Sequence, residues 1–299
     1  MQKLQKILNG GKMRKIILGS LCVFFTLLSF SEDKKYDGES GASETKIVVK
    51  GNKLPENIDE ISSASVVPAA LVRKYNPKGF TNSNKKKALF VIGDLRKNSV
   101  TYDMANTAMK YLEDNGVEVK ARDLYRIKWN PVLSEDEFFY QKDGIGEPKD
   151  DVKKEQELVK EADYIVFVYP NWHDSANAIV KGYQERVFSK EFAYTSTPKG
   201  PKGLLEGKGI YTIMNCGFLG GGRGFIGDGV GINDKKWDEY MKAYEVFDND
   251  LADWWGMKNY GRFMNDRYPK NTSKTYETEL AEIRKSLEKN LNTTFKLSQ

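Results

Sequence analysis

Apolar and polar positions follow two different periods along this chain, and each change of period marks where an element begins or ends. Tyr164–Val168 is an unbroken apolar, aromatic and β-branched run, which predicts a strand buried on both faces. It is expected to end at Tyr169-Pro170, because proline lacks the amide that a central strand donates. Beyond the polar and aromatic turn Asn171-Trp172-His173-Asp174, residues Ala176, Ile179, Val180, Tyr183 and Val187 recur at helical spacing. The same pattern appears upstream. Ala88–Ile92 reads as a strand, and Met104, Ala105, Ala108, Met109 and Leu112 mark one helix face that stops at Asn115-Gly116. Val117–Ala121 alternates like a half-buried edge strand. A long excursion from Asp123 through Pro131–Ser134 then leads to a polar helix near Val152–Glu161.

Downstream, Gly209–Met214 is a fourth strand that empties into a glycine-heavy loop, Gly217 to Gly231. Trp237, Tyr240, Met241, Tyr244, Phe247, Leu251, Trp254 and Trp255 mark an amphipathic helix, and Met257–Met264 is the last strand. Tyr276, Leu280, Ile283, Leu287 and Leu291 form the face of a closing helix. Five strands alternating with helices predict one doubly wound parallel α/β domain over residues 87–295, with strand order 2-1-3-4-5.

Composition adds constraints at the two ends. Residues 1–31 carry Lys3, Lys6, Lys12, Arg14 and Lys15 and no acid, so they account for the whole formal charge of +5. The remainder is neutral, which gives no reason to expect a nucleic-acid partner. Met13-Arg14-Lys15, the apolar run Ile16 to Phe30 and the small-x-small triplet at Ser29-Phe30-Ser31 read as a secretory signal, with translation starting at Met1 or Met13. The expectation is export to a periplasmic or other extracytoplasmic space, with membrane attachment only if the signal stays uncleaved. Residues 32–86, rich in Ser, Lys, Glu, Gly and Asn, read as a linker or extended arm. Within it, Val66–Val72 is apolar enough to dock on the α/β domain. After cleavage only Cys216 remains, so no internal disulfide forms. No metal site is expected.

Three loops follow strands at the end of the sheet where open α/β folds bind ligands. The first, Gly93 to Thr101, leads into a helix N-terminus, where free amides favour an anion. Arg96 supplies charge there, Asn98, Ser99 and Thr101 supply donors, and Val100 opens the helix. Ordinary helix capping explains the same composition. The second is Pro170, Asn171, Trp172, His173 and Asp174. Trp172 offers an aromatic wall, or simply packs. His173, the chain's one histidine, offers an imidazole that exchanges protons near neutral pH, or is a solvated turn residue. The third begins Asn215-Cys216-Gly217-Phe218, and its glycines permit close backbone approach. Residues 222–227, GRGFIG, spell GxGxxG, but they lie well past the strand and no acid-tipped second strand follows, so a dinucleotide fingerprint is discounted.

The stretch PNWHDSANAIVKGYQERVFSKEFAYT resembles the segment PxxWxxxPAxxKGWxxRVFxxxFAY of the flavodoxin-like NAD(P)H:quinone oxidoreductases, and DLYRIKWNPVLSEDEF resembles their DLYxxxFxPVLSxxDF. The resemblance covers about residues 87 to 290. It implies a flavodoxin-like fold, FMN or FAD as cofactor, NAD(P)H as electron donor, a quinone-like acceptor and a homodimer. The flavin is implied to contact Arg96, Asn98, Ser99, Val100, Thr101, Pro170, Asn171, Trp172, His173, Asp174, Asn215, Cys216, Gly217 and Phe218. His173 is the candidate for proton handling. Tyr194, in Phe192-Ala193-Tyr194, is the candidate pocket residue lent by a neighbouring subunit. The sequence departs from the family pattern at Asp94, which replaces a histidine of the phosphate loop, and in the altered second and third loops. Two other readings stand beside the enzyme: an exported flavin-binding electron carrier, and a family member that is no longer catalytic.

Overall fold

The computed structural model describes residues 67–216, 234–266 and 274–297. Strands β1 (Lys87–Ile92), β2 (Glu118–Asp123) and β3 (Tyr164–Asn171) lie where the apolar runs place them. A short hairpin, β4 (Tyr194–Thr197) with β5 (Gly200–Gly203), precedes β6 (Gly209–Cys216) and β7 (Lys258–Asn265). The helices are α1 (Val100–Asp114), α2 (Glu135–Asp143), α3 (Asp150–Glu161), α4 (Ala178–Val187), α5 (Asp234–Trp255) and α6 (Tyr276–Phe295). The main sheet runs β2-β1-β3-β6-β7, every pair parallel. Counting only its five strands, that is the expected flavodoxin-like order 2-1-3-4-5.

The period of two along β3 divides the core. Ile165, Phe167 and Tyr169 pack on the face covered by α3, α4 and α5, while Val166 and Val168 face α1 and α6. Each large side chain buried this way contributes about 1.5–3 kcal/mol. Two elements go beyond the sequence pattern. Helix α2 starts at a capping box, with Ser134 and Glu137 each bonded to the other's backbone. It is fastened by Arg186 of α4, a buried side chain whose Nε donates to Glu137 at 2.9 Å. One Nη of Arg186 donates to Asp151 at 2.8 Å and to the Asn130 carbonyl at 2.7 Å. Gly182 allows the contact beneath, since a Cβ there would lie 2.1 Å from the Pro131 oxygen. The β4–β5 hairpin is the other such element.

Residues 67–83 run as a strap across α1 and α6 to the edge strand β2. Val67 and Val72 are buried in the α1–α6 core. The Arg73 amide donates to Asp103 at 2.6 Å, and Arg284 grips the same carboxylate. The Gly79 amide donates to the Val119 carbonyl at 3.1 Å, covering an otherwise open strand edge.

One expectation is corrected. Strand β3 does not stop at Pro170 but continues to Asn171, with Pro170 in register with Asn215. The Val168 carbonyl accepts from the Gly93 amide, so residues 168 and 170 both turn their polar groups toward β1. The carbonyl that an amide at position 170 would meet is that of Gly93, which accepts from the Asn177 side chain instead, so the missing amide of Pro170 leaves no acceptor bare.

Candidate functional site

Because the sheet is parallel, all five strands end at one edge, where the loops after β1 and β3 stand beside the end of β6. The first two are tied directly. Asn177, the N-cap residue of α4, donates its side-chain amide to the Gly93 carbonyl. Gly93 must be glycine, since a Cβ there would come within 2.1 Å of Val180 Cγ2.

In the first loop Ser99 caps α1 by accepting from the Tyr102 amide at 3.2 Å. Arg96 and Asn98 are partly exposed, whereas Val100 and Thr101 are buried. The capping alternative raised by the sequence is therefore real, and it takes up Ser99. Asp94 is fully buried beneath the loop and collects donors from Arg96 and Ser99.

In the second loop Trp172 and Ser175 exchange two backbone hydrogen bonds of 3.2 Å and enclose a tight turn. Its central residues, His173 at φ 53° and Asp174 at φ 56°, are both left-handed, the pattern of a type I′ turn that glycine usually serves. This backbone costs an L-residue about 1–2 kcal/mol. The turn presents His173 and Asp174 to solvent and leaves Trp172 41% exposed at the sheet edge. Pro170 and Asn171 lie below it in the strand. Between the chain after β2 and the first turn of α4 is an open cleft of about 400 Å³ walled by Leu124, Tyr125, Trp129, Pro131 and Ile179, with Lys128 among its lining and no residue of the turn. That is the size of many small-molecule sites.

In the third loop Asn215 accepts from Asn265 at 2.8 Å. Cys216 is buried beside Asn171, and burial pushes its thiol up to about 12, with Asp266 adding to the effect. Cys216 is a protonated core side chain rather than a nucleophile. Gly217 and Phe218 lie outside the described residues, as do the signal segment and the GxGxxG stretch.

The protomer does not bring Tyr194 to this edge. Tyr194 opens the hairpin at the opposite, amino-terminal end of the sheet and packs edge-on against Trp254, with ring centroids 5.2 Å apart. The length of β3, on the order of 25 Å, separates it from the turn.

Sequence reasoning missed a buried network under the site. Arg262 of β7 makes a two-pronged ion pair with Asp248 of α5, at 2.7 and 2.9 Å. It also donates to the Tyr169 hydroxyl at 3.1 Å and lies over the Tyr244 ring at 4.7 Å. The Tyr244 hydroxyl donates onward to Asn171 at 3.3 Å. Burial works against the guanidinium charge, but Tyr169 and Asp248 outweigh it and hold Arg262 above its ordinary value. The sequence did hold a signal: Asp248 falls on the apolar stripe of α5, four residues after Tyr244.

The family described as having a flavodoxin-like fold matches residues 86–287. The chain belongs to it. Among curated proteins, the chain is 37% identical over 114 residues to an uncharacterized NAD(P)H oxidoreductase of Haemophilus influenzae, covering 38% of this chain and 55% of that one. It is 32% identical over 153 residues to NAD(P)H dehydrogenase [quinone] 1 of Cavia porcellus, covering 44% and 54%. The chain thus spans about half the length of these relatives. Among solved structures, the NAD(P)H:quinone oxidoreductase from Methanothermobacter marburgensis superposes with a TM-score of 0.53 at 19% identity, over 68% of this chain and 98% of that one, a likeness of fold.

Proposed function

We propose that this protein is a flavin-dependent oxidoreductase that takes hydride from NADH or NADPH and passes two electrons to a quinone-like acceptor in a ping-pong cycle. The observation that carries the reading is the exposed Trp172 on a strained turn at the carboxyl edge of the sheet, in a chain similar to proteins named NAD(P)H oxidoreductase and NAD(P)H dehydrogenase [quinone].

The residues present fit the ring of a flavin. Trp172 provides a flat, exposed apolar wall at the carboxyl end of β3, while the amides of Trp172 and Ser175 are spent within the turn. When bound, a flavin supplies the two-electron hydride chemistry that no side chain here offers. Asn171 and Asn215, bonded to Tyr244 and Asn265, would fix the ends of β3 and β6 beneath such a ring, Trp172 would exclude water from one side, and His173 would exchange the proton that accompanies reduction of the acceptor. The phosphate side fits less well, because Asp94 lies under the first loop.

The substrate side is proposed to be completed by a homodimer. Tyr194 stands a strand length from its own loops, next to the exposed Trp254 and Leu204. The basic, apolar N-terminus supports export, and export supports a second reading, an electron carrier reduced by a protein partner where nicotinamide is scarce.

Initial rates with NADH and a benzoquinone test the enzyme. Parallel double-reciprocal lines are expected, and the absence of quinone-dependent NADH or NADPH oxidation would overturn the reading. His173→Ala should lower turnover with Trp172 intact, and unchanged turnover would remove His173 from the mechanism.

A further inference from the structure

The loop between β1 and α1 contains an anion of its own. Asp94 is 0% exposed. Its Oδ1 accepts from the Arg96 amide at 2.9 Å and from Arg96 Nε at 3.4 Å, and its Oδ2 accepts from the Ser99 hydroxyl at 2.8 Å. Ser99 is at the same time the N-cap of α1. A strand–loop–helix turn binds phosphate through a loop amide, a cationic side chain and a hydroxyl at the helix start. In this chain all three converge on a carboxylate supplied from within. An external anion touching the Ser99 hydroxyl would stand about two hydrogen bonds, roughly 5–6 Å, from that carboxylate. Two like charges so close repel, and Arg96, the cation between them, is already engaged by Asp94.

We infer that Asp94 makes the α1 loop select against a phosphate, so that the protein takes a flavin by its ring and sugar chain and discriminates among flavins by charge. The inference rests on the flavin reading and refines it: neutral riboflavin is favoured over FMN and FAD. Asparagine at this position keeps one acceptor oxygen for Arg96 and removes the charge, while its amide reverses the second bond and donates to the Ser99 hydroxyl.

The test is the dissociation constant of riboflavin, FMN and FAD, read from quenching of flavin fluorescence, for the full chain and for Asp94→Asn. Wild type should bind riboflavin at least as tightly as FMN. Asp94→Asn should tighten FMN and FAD tenfold or more and leave riboflavin within about twofold. A wild type that prefers FMN tenfold over riboflavin, with a ratio that Asp94→Asn does not change, would overturn the inference and leave the flavin reading intact. If none of the three binds, the flavin reading falls and this inference with it. Should the variant fail to fold, the salt dependence of the wild type decides. FMN binding that tightens with salt while riboflavin stays flat supports the internal anion, and FMN binding that weakens with salt contradicts it.

Discussion

Arg262 and Asp248 show how single residues fix the ground under the loops. The pair is largely buried, hydrogen-bonded at both prongs and shared with Tyr169 and Tyr244, so it holds β7, α5 and the end of β3 in one arrangement. Removing one partner strands the other charge. Arg262→Met should cost about 3–5 kcal/mol in urea unfolding, and much of that should return in Arg262→Met with Asp248→Leu. A loss under about 1 kcal/mol for the single variant would contradict the account. Cys216 gives a second test at this scale. With its thiol pushed up to about 12, it should react with a disulfide reagent at pH 8 about 10³-fold more slowly in the native protein than an ordinary thiol, measured in a Cys22→Ser background. Equal rates in native and denatured protein would refute the burial. The network was legible only in part. Asp248 on an apolar stripe signalled a buried charge, but its partner lies in another element, and one sequence does not report pairing across elements.

At the scale of elements, long periodic segments are readable because their own side chains decide them. Strands β1, β3 and β6 and helices α1, α5 and α6 fall where burial of one face or both dictates. What the pattern misses depends on tertiary partners. Helix α2 has almost no apolar face and stands because Arg186 fastens Glu137, although its capping box, Ser134 to Glu137, is readable in principle. A rule for central strands ends β3 at Pro170, yet the carbonyl that an amide there would meet is bonded by the Asn177 side chain instead. The strap makes a prediction of its own. Hydrogen bonds from the Thr81 hydroxyl and amide, then from Ser83, lower Glu118 to about 2. A depressed carboxylate lends stability above its unfolded value near 4.5 and loses it as pH falls toward 2. The Glu118 carboxyl carbon shift should therefore titrate near 2, and the Thr81 amide shift should follow it. A midpoint near 4.5 would mean that the strap is not held this way.

For the whole molecule, the loops after β1 and β3 stand at one edge of the sheet and Tyr194 at the other, and on the proposed reading a second copy supplies that tyrosine. Trp254 at 43% and Val246 and Phe247 at 65% exposure leave apolar surface on α5, on the same helix as the Tyr194 contact. Light scattering should give twice the chain mass, and Trp254→Lys should shift it toward monomer and weaken quinone reduction more than flavin binding. A stable monomer with full activity would remove the second copy from the site. The sheet order and the loops' common edge could be read from the sequence. Which contacts survive in the altered loops could not, because the Asp94 carboxylate acts on partners that only the folded loop brings to it, and the Trp172–Ser175 turn acts through backbone geometry that composition does not reveal.

The most direct measurement is the visible absorption spectrum of the protein purified after supplementation with riboflavin, FMN or FAD, recorded before and after anaerobic addition of NADH or NADPH. The expected result is a bound flavin band that bleaches on addition of the nicotinamide. Protein that retains no flavin, or a band that neither nicotinamide bleaches, would contradict the oxidoreductase reading.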